Sequence, residues 1–152
     1  MGFILLPIVI IILDQVTKYL VVKYLFGQAP VVIIPEHFEF RFVENYGAAF
    51  GILQEKRIFF VIITTIVILF MIYFLFKNHS SLSKLAIFSI SILLGGAVGN
   101  YIDRIRLGYV VDFIRINIFK SYDFPVFNVA DIFIVVGTIL IVYVVLFDKQ
   151  IA

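Results

Sequence analysis

The chain has 152 residues, of which 63% are hydrophobic and only 14% charged, with a formal net charge of +2 and no cysteine. Soluble globular domains are roughly half apolar and about a quarter charged, so this composition excludes that class and describes a membrane protein of one domain, residues 1–152. Without cysteine there are no disulfides, thiolate metal sites or cysteine nucleophiles, and neither the small charge nor any basic cluster points to nucleic acid.

Residues 3–26 form the first expected span. Nothing basic precedes Asp14, so the segment lacks the layout of a cleaved signal peptide and is expected to stay as a transmembrane helix. Asp14 and Lys18 are four apart and share one helical face in the favourable acid-before-base order. An ionised aspartate at the centre of a span costs on the order of 2.5 to 3.5 kcal/mol. The residue therefore either fixes helix packing through Lys18 or supports a site.

Residues 28–56 differ in kind, with Pro30, Pro35 and a two-residue alternation from Phe38 to Phe42. The alternation predicts a strand with Phe38, Phe40 and Phe42 on one face and Glu39 and Arg41 on the other. Asn45-Tyr46-Gly47-Ala48-Ala49-Phe50-Gly51 follows as a turn of small residues that lets backbone approach a partner closely. The second span, 58–76, has no charge and is long enough to cross about 30 Å of hydrocarbon. Lys77 to Lys84 is a polar loop whose His79, like His37, is expected to be solvated.

The third span, 85–102, carries Gly95 and Gly99 in a GxxxG spacing that admits a neighbouring helix. At its end Asn100, Asp103 and Arg104 share a face, either to anchor the helix at the interface or to serve a site. Residues 104–125 are expected to be extramembrane, with a strand from Tyr109 to Phe119. Its alternation places Asp112 among Val110, Ile114, Ile116 and Ile118, a polar intruder on an apolar face, with Arg115 and Asn117 opposite. The last span, 126–147, opens on a stripe of Asn128, Asp131 and Thr138, with Asp131 in the first turn where the helix dipole favours an acid. The expected fold class is thus integral membrane, mainly α, with four transmembrane helices and a small extramembrane β-sheet. Lys and Arg number three in the first loop, two in the second and four in the third, which by the positive-inside rule puts the first and third in the cytoplasm.

Asp112 and Asp131 are acids in apolar surroundings without a sequence-local base. Facing each other, they could share a proton, one polarising a water and the other donating to a scissile carbonyl. A carboxylate metal pair without histidine, or a proton relay through Asp14, Asp112 and Asp131 in a small transporter, is the other chemistry open to them. A membrane scaffold built on the GxxxG face would leave both acids without a purpose.

Asp14-Gln15-Val16-Thr17-Lys18, Asn45-Tyr46-Gly47-Ala48-Ala49-Phe50, Gly95-Gly96-Ala97-Val98-Gly99-Asn100-Tyr101-Ile102-Asp103-Arg104, Val110-Val111-Asp112-Phe113 and Phe127-Asn128-Val129-Ala130-Asp131 together resemble the bacterial lipoprotein signal peptidase family, in the family's order and over nearly the whole chain. The resemblance implies an intramembrane aspartic endopeptidase, without cofactor or metal. It would remove the signal peptide of a diacylglyceryl-modified prolipoprotein by cutting on the amino side of the lipidated cysteine. It also implies Asp112 and Asp131 as the catalytic pair. Asp14, Asn45, Asn100, Asp103, Arg104, Asn128 and Ala130 would hold the pair, the substrate backbone and the lipid-bearing region. The implied partners are the lipidated precursor and membrane lipid, in the bacterial cytoplasmic membrane. Both termini would be cytoplasmic, with the sheet outside and the active site near the outer leaflet, opposite to the charge count. Two departures stand out: almost nothing precedes the first span, and the bulky Tyr46 sits inside the small-residue turn.

Overall fold

A computed structural model describes residues 2–47, 56–117 and 124–147. In chain order the elements are α1 (Gly2–Leu25), β1 (Val31–Ile34), β2 (Phe38–Asn45), α2 (Arg57–Asn78), α3 (Lys84–Arg106), β3 (Val110–Ile116) and α4 (Val129–Phe147). All four helices are long and apolar enough to cross a membrane. The class read from composition, four apolar helices with a small sheet, is the class observed.

The helix α3 is the centre of the bundle and packs against α1, α2 and α4. Its glycines explain why. A Cβ on Gly95 would lie 2.8 Å from the Ile10 side chain of α1, and one on Gly96 would lie 2.5 Å from the Ala130 carbonyl of α4. The small-residue stripe therefore serves two neighbours, where the GxxxG spacing alone announces one. The helix also runs on to Arg106, so Asp103 and Arg104 lie inside it and not in the segment that follows. Its last turn is held from outside, because Arg57 donates to the carbonyls of Arg104 (2.9 Å) and Ile105 (2.8 Å), which have no intrahelical partner.

The sheet is antiparallel with order β1-β2-β3 and stands at the end of the bundle where α1 and α3 finish and α4 begins. The buried Val111 and Phe113 of β3 pack on Val21 of α1, with Phe40, Phe42 and Leu25 around them. So the expected apolar rest for the strand phenylalanines is the upper part of α1. The four residues Val110 to Phe113 are all buried, which means that both faces of β3 are covered at this end. Asp112 has the buried Val110 beside it in its own strand and Val43 opposite, and there it takes amide bonds from Asn45 and Asn128. The described strand ends at Ile116, and the expected positions Ile118 and Phe119 lie outside the described residues.

Between β2 and β3 the register slips by one residue. Phe38 pairs with Ile116 and Phe40 with Ile114, but then Val43 pairs with Asp112 and Asn45 with Val110. The extra residue in β2 is a bulge, and it reverses which side chains share the Asp112 face. Unbroken alternation from Phe38 would place Glu44 on that face; the bulge places Asn45 there.

Candidate active site

Three backbone hydrogen bonds at one residue bring β3 and the start of α4 together. Phe127 accepts from the N–H groups of Phe113 (3.0 Å) and Ile114 (2.8 Å) and donates back to the Ile114 carbonyl (3.0 Å), so the residue before Asn128 is pinned to β3 beside Asp112. Asn128 then starts α4. Its Oδ1 accepts from the Asp131 N–H at 2.9 Å, while Asp131 Oδ2 accepts from the Asn128 N–H at 3.1 Å. This reciprocal cap satisfies two free helix donors and fixes the Asp131 side chain in one rotamer.

The same asparagine reaches the other acid. Asn128 Nδ2 donates to Asp112 Oδ1 at 2.7 Å, and Asn45 Nδ2, delivered by the bulge, donates to Asp112 Oδ2 at 2.8 Å. Asp131 Oδ1 takes a bond from Asn100 Nδ2 at 2.7 Å. Each carboxyl is thus held through both oxygens, and one side chain, Asn128, touches both residues. Asp112 and Asn128 are 2% and 0% exposed. Burial pushes the Asp112 carboxyl up to about 7, with the Asp131 charge raising it further and the bonds from Asn45 and Asn128 pulling the other way.

A second layer lies behind this pair. Asp14, fully buried, accepts the Ala130 N–H through Oδ1 at 2.9 Å and pairs with Lys18 through Oδ2 at 2.9 Å. Asp14 is therefore both the ion-pair partner of Lys18 and a support for the first turn of α4. Ala130 is wholly buried and small because Gly99 lies against it; a Cβ on Gly99 would stand 3.3 Å from that of Ala130 and 2.5 Å from Asp14 Oδ2. Asp103 pairs with Lys18 at 2.9 Å and accepts the Val111 N–H at 3.1 Å, tying α3 to both α1 and β3. Arg104 donates to the Gly47 carbonyl at 3.3 Å and lies over the Phe60 ring at 5.1 Å, with Asp131, Asp112 and Asp103 within reach of its charge.

All nine residues singled out from the sequence, Asp14, Asn45, Asn100, Asp103, Arg104, Asp112, Asn128, Ala130 and Asp131, fall in this one region. Thr138 does not belong to it. It is exposed and donates to the Ile134 carbonyl of its own helix, so the polar stripe of α4 ends at Asp131. Gln15 was not singled out, yet its Nε2 lies 3.2 Å from Asp14 Oδ2, 3.2 Å from the Gly99 carbonyl and 3.0 Å from Asp103 Oδ1. Its only signal was a second polar residue beside Asp14 in an apolar helix. His37 and His79 are both exposed, at opposite ends of the bundle from one another. Tyr46 is 47% exposed, donates to Glu44 Oε2 at 2.7 Å and packs on Tyr109 with ring centroids 5.4 Å apart. Of the turn that follows, Ala48 to Gly51 lies outside the described residues. Among the described residues no group of three or more His, Cys, Asp or Glu side chains is arranged to hold a metal ion, and no buried side-chain nitrogen or oxygen lacks a partner.

A family model described as "Signal peptidase (SPase) II" matches residues 6–147. The chain is similar to the lipoprotein signal peptidase of Caldanaerobacter subterraneus subsp. tengcongensis, 47% identical over 138 residues covering 91% of each chain. It is similar to that of Staphylococcus aureus at 43% identity over 147 residues, 97% of this chain and 89% of the other. A solved bacterial membrane enzyme superposes with a TM-score of 0.84 at 40% identity, covering 97% of this chain and 89% of that one. With nearly its full length matched in sequence and in fold, the chain belongs to the signal peptidase II family of membrane peptidases.

Proposed function

We propose that the chain is an intramembrane aspartic endopeptidase that removes the signal peptide from diacylglyceryl-modified prolipoproteins, on the amino side of the lipidated cysteine, with Asp112 and Asp131 as its catalytic dyad. The observation that carries this is Asn128. Its amide holds Asp112 while its backbone and Oδ1 hold Asp131, so the acids of β3 and α4 are fixed beside each other at the membrane-exit end of the bundle. Like charges so placed favour the state with one proton between them. The ionised member takes a proton from water as it attacks, and the protonated member donates to the amide carbonyl oxygen. Asn45, Asn100 and Asn128 orient the acids, and Arg104 holds the Asn45–Gly47 segment through the Gly47 carbonyl. The whole chain acts as one domain. Its partners are the lipidated precursor and the bilayer around it, and neither nucleic acid nor cofactor enters the reaction.

A substrate bearing acyl chains needs a dyad within reach of both lipid and water. The helix ends carrying Asp131 and the strand carrying Asp112 meet that need. Asp112 lies on a strand outside the spans, where a through-membrane proton relay has no path. We place this end at the outer leaflet, with both termini in the cytoplasm. This placement runs against the Lys and Arg count and rests on the family resemblance and on the access to lipid and water that the dyad needs. The test is incubation of the purified protein with lipidated and unlipidated forms of one precursor. Shortening of the lipidated form alone is expected, and no shortening of either refutes the proposal.

A further inference from the structure

Lys18 is 3% exposed, and its ammonium sits in the second layer without touching either aspartate of the dyad. Each of its donors has its own acceptor: Asp14 Oδ2 at 2.9 Å, Asp103 Oδ2 at 2.9 Å and Asn100 Oδ1 at 2.8 Å. The third contact matters most. Asn100 Oδ1 also receives Asn128 Nδ2 at 3.0 Å, so two donors converge on that oxygen. The Asn100 amide can then face only one way, with Nδ2 turned to Asp131 Oδ1. Flipping it would set an NH2 group against an ammonium and another NH2. We infer that Lys18 is a positioning residue of the dyad: it locks the Asn100 amide as a donor to Asp131 and supplies the buried positive charge that keeps one of the two aspartates ionised. This role rests on the aspartic reading above.

The charges around it come from every packed element. Asp14 lies on its own helix, Asp103 and Arg104 on α3, Asp112 on β3 and Asp131 on α4, while β2 contributes the neutral Asn45. With one proton shared by the dyad, four acids face two bases. Removing Lys18 makes this cluster more negative and the dyad harder to deprotonate, so both limbs of the pH–rate profile move to higher pH.

The test compares Lys18→Met, which keeps the stem and loses charge and donors, with Lys18→Arg, which keeps the charge, in the full chain with lipidated precursor. For Lys18→Met we expect kcat to fall on the order of tenfold, KM to stay within about twofold and both limbs to shift upward. For Lys18→Arg the limbs stay at their wild-type positions. Asp14→Asn removes a negative charge beside the same ammonium and shifts the limbs downward, which keeps the inference testable if Lys18→Met does not fold. Limbs that stay in place in Lys18→Met, or in Asp14→Asn where Lys18→Met does not fold, with rates following the folded fraction alone, would overturn the inference while the wild-type cleavage left the aspartic reading standing. A wild type that does not cleave would instead sink the reading itself.

Discussion

Asp112 is the residue whose environment says most about the chemistry. Its carboxyl stands at about 7 in the fold against an ordinary value of 3.8, mainly through burial and then through Asp131. Between those two values the folded chain holds a proton that the unfolded chain has released. Stability therefore falls as pH rises through this window, and the full contribution is present only below about 4. Asp112→Asn does not titrate, so its thermal midpoint is expected to lack this decline. Midpoints of the two proteins that run parallel from pH 4 to pH 8 would contradict the assignment. In the proposed mechanism the same proton sets activity. The dyad needs one protonated member, and cleavage is expected to decline as pH rises through about 7, in a bell whose limbs belong to the pair. At this scale the sequence was informative about residue type but not about surroundings. Strand alternation separated Asp112 from Arg115 and Asn117, yet the lining of its face by Asn45 and Asn128 depends on chain segments 67 and 16 residues away.

Among the elements, the bulge in β2 and the glycines of α3 do the positioning. The alternation Phe38-Phe40-Phe42 is legible as a strand, and β2 is one. No local pattern, however, announced the one-residue slip between Phe40 and Val43 that turns Asn45 toward Asp112, because a bulge is set by what the two strands must satisfy together. Asn45→Leu would keep the strand register and remove the amide donor that the bulge delivers to Asp112 Oδ2. Such a variant is expected to lose cleavage while the helices remain, as read by activity beside far-ultraviolet circular dichroism; retained activity would mean that Asn45 is not needed at Asp112. The Gly95–Gly99 spacing was visible as a helix contact. That Gly99 makes room for a carboxylate was not, since the space is occupied by Asp14 from the far end of the chain. A Cβ there stands 2.5 Å from Asp14 Oδ2, so Gly99→Ala is expected to cost about 1–3 kcal/mol and to lower the unfolding temperature in detergent. An unchanged midpoint would show that α1 can move aside freely.

For the whole molecule, composition and hydropathy were enough to find four spans and an extramembrane sheet, because a bilayer imposes length and polarity so strictly. Orientation is harder to read, since the Lys and Arg count favours the side opposite to the one proposed. The chain has no cysteine, so single introduced cysteines report sidedness cleanly. Gln28→Cys is expected to react with a membrane-impermeant thiol reagent in intact cells and Ser80→Cys only after permeabilisation; the reverse would invert the topology. The proposal that Asp112 and Asp131 perform the cleavage rests on the gathering of α1, α3, β3 and α4 around them. The most direct measurement is cleavage of one lipidated precursor by wild type, Asp112→Asn and Asp131→Asn, purified in parallel and matched for folded protein by thermal unfolding. Each variant is expected to be slower by on the order of 10³-fold or more with its fold retained. Cleavage at the wild-type rate by either would contradict the account.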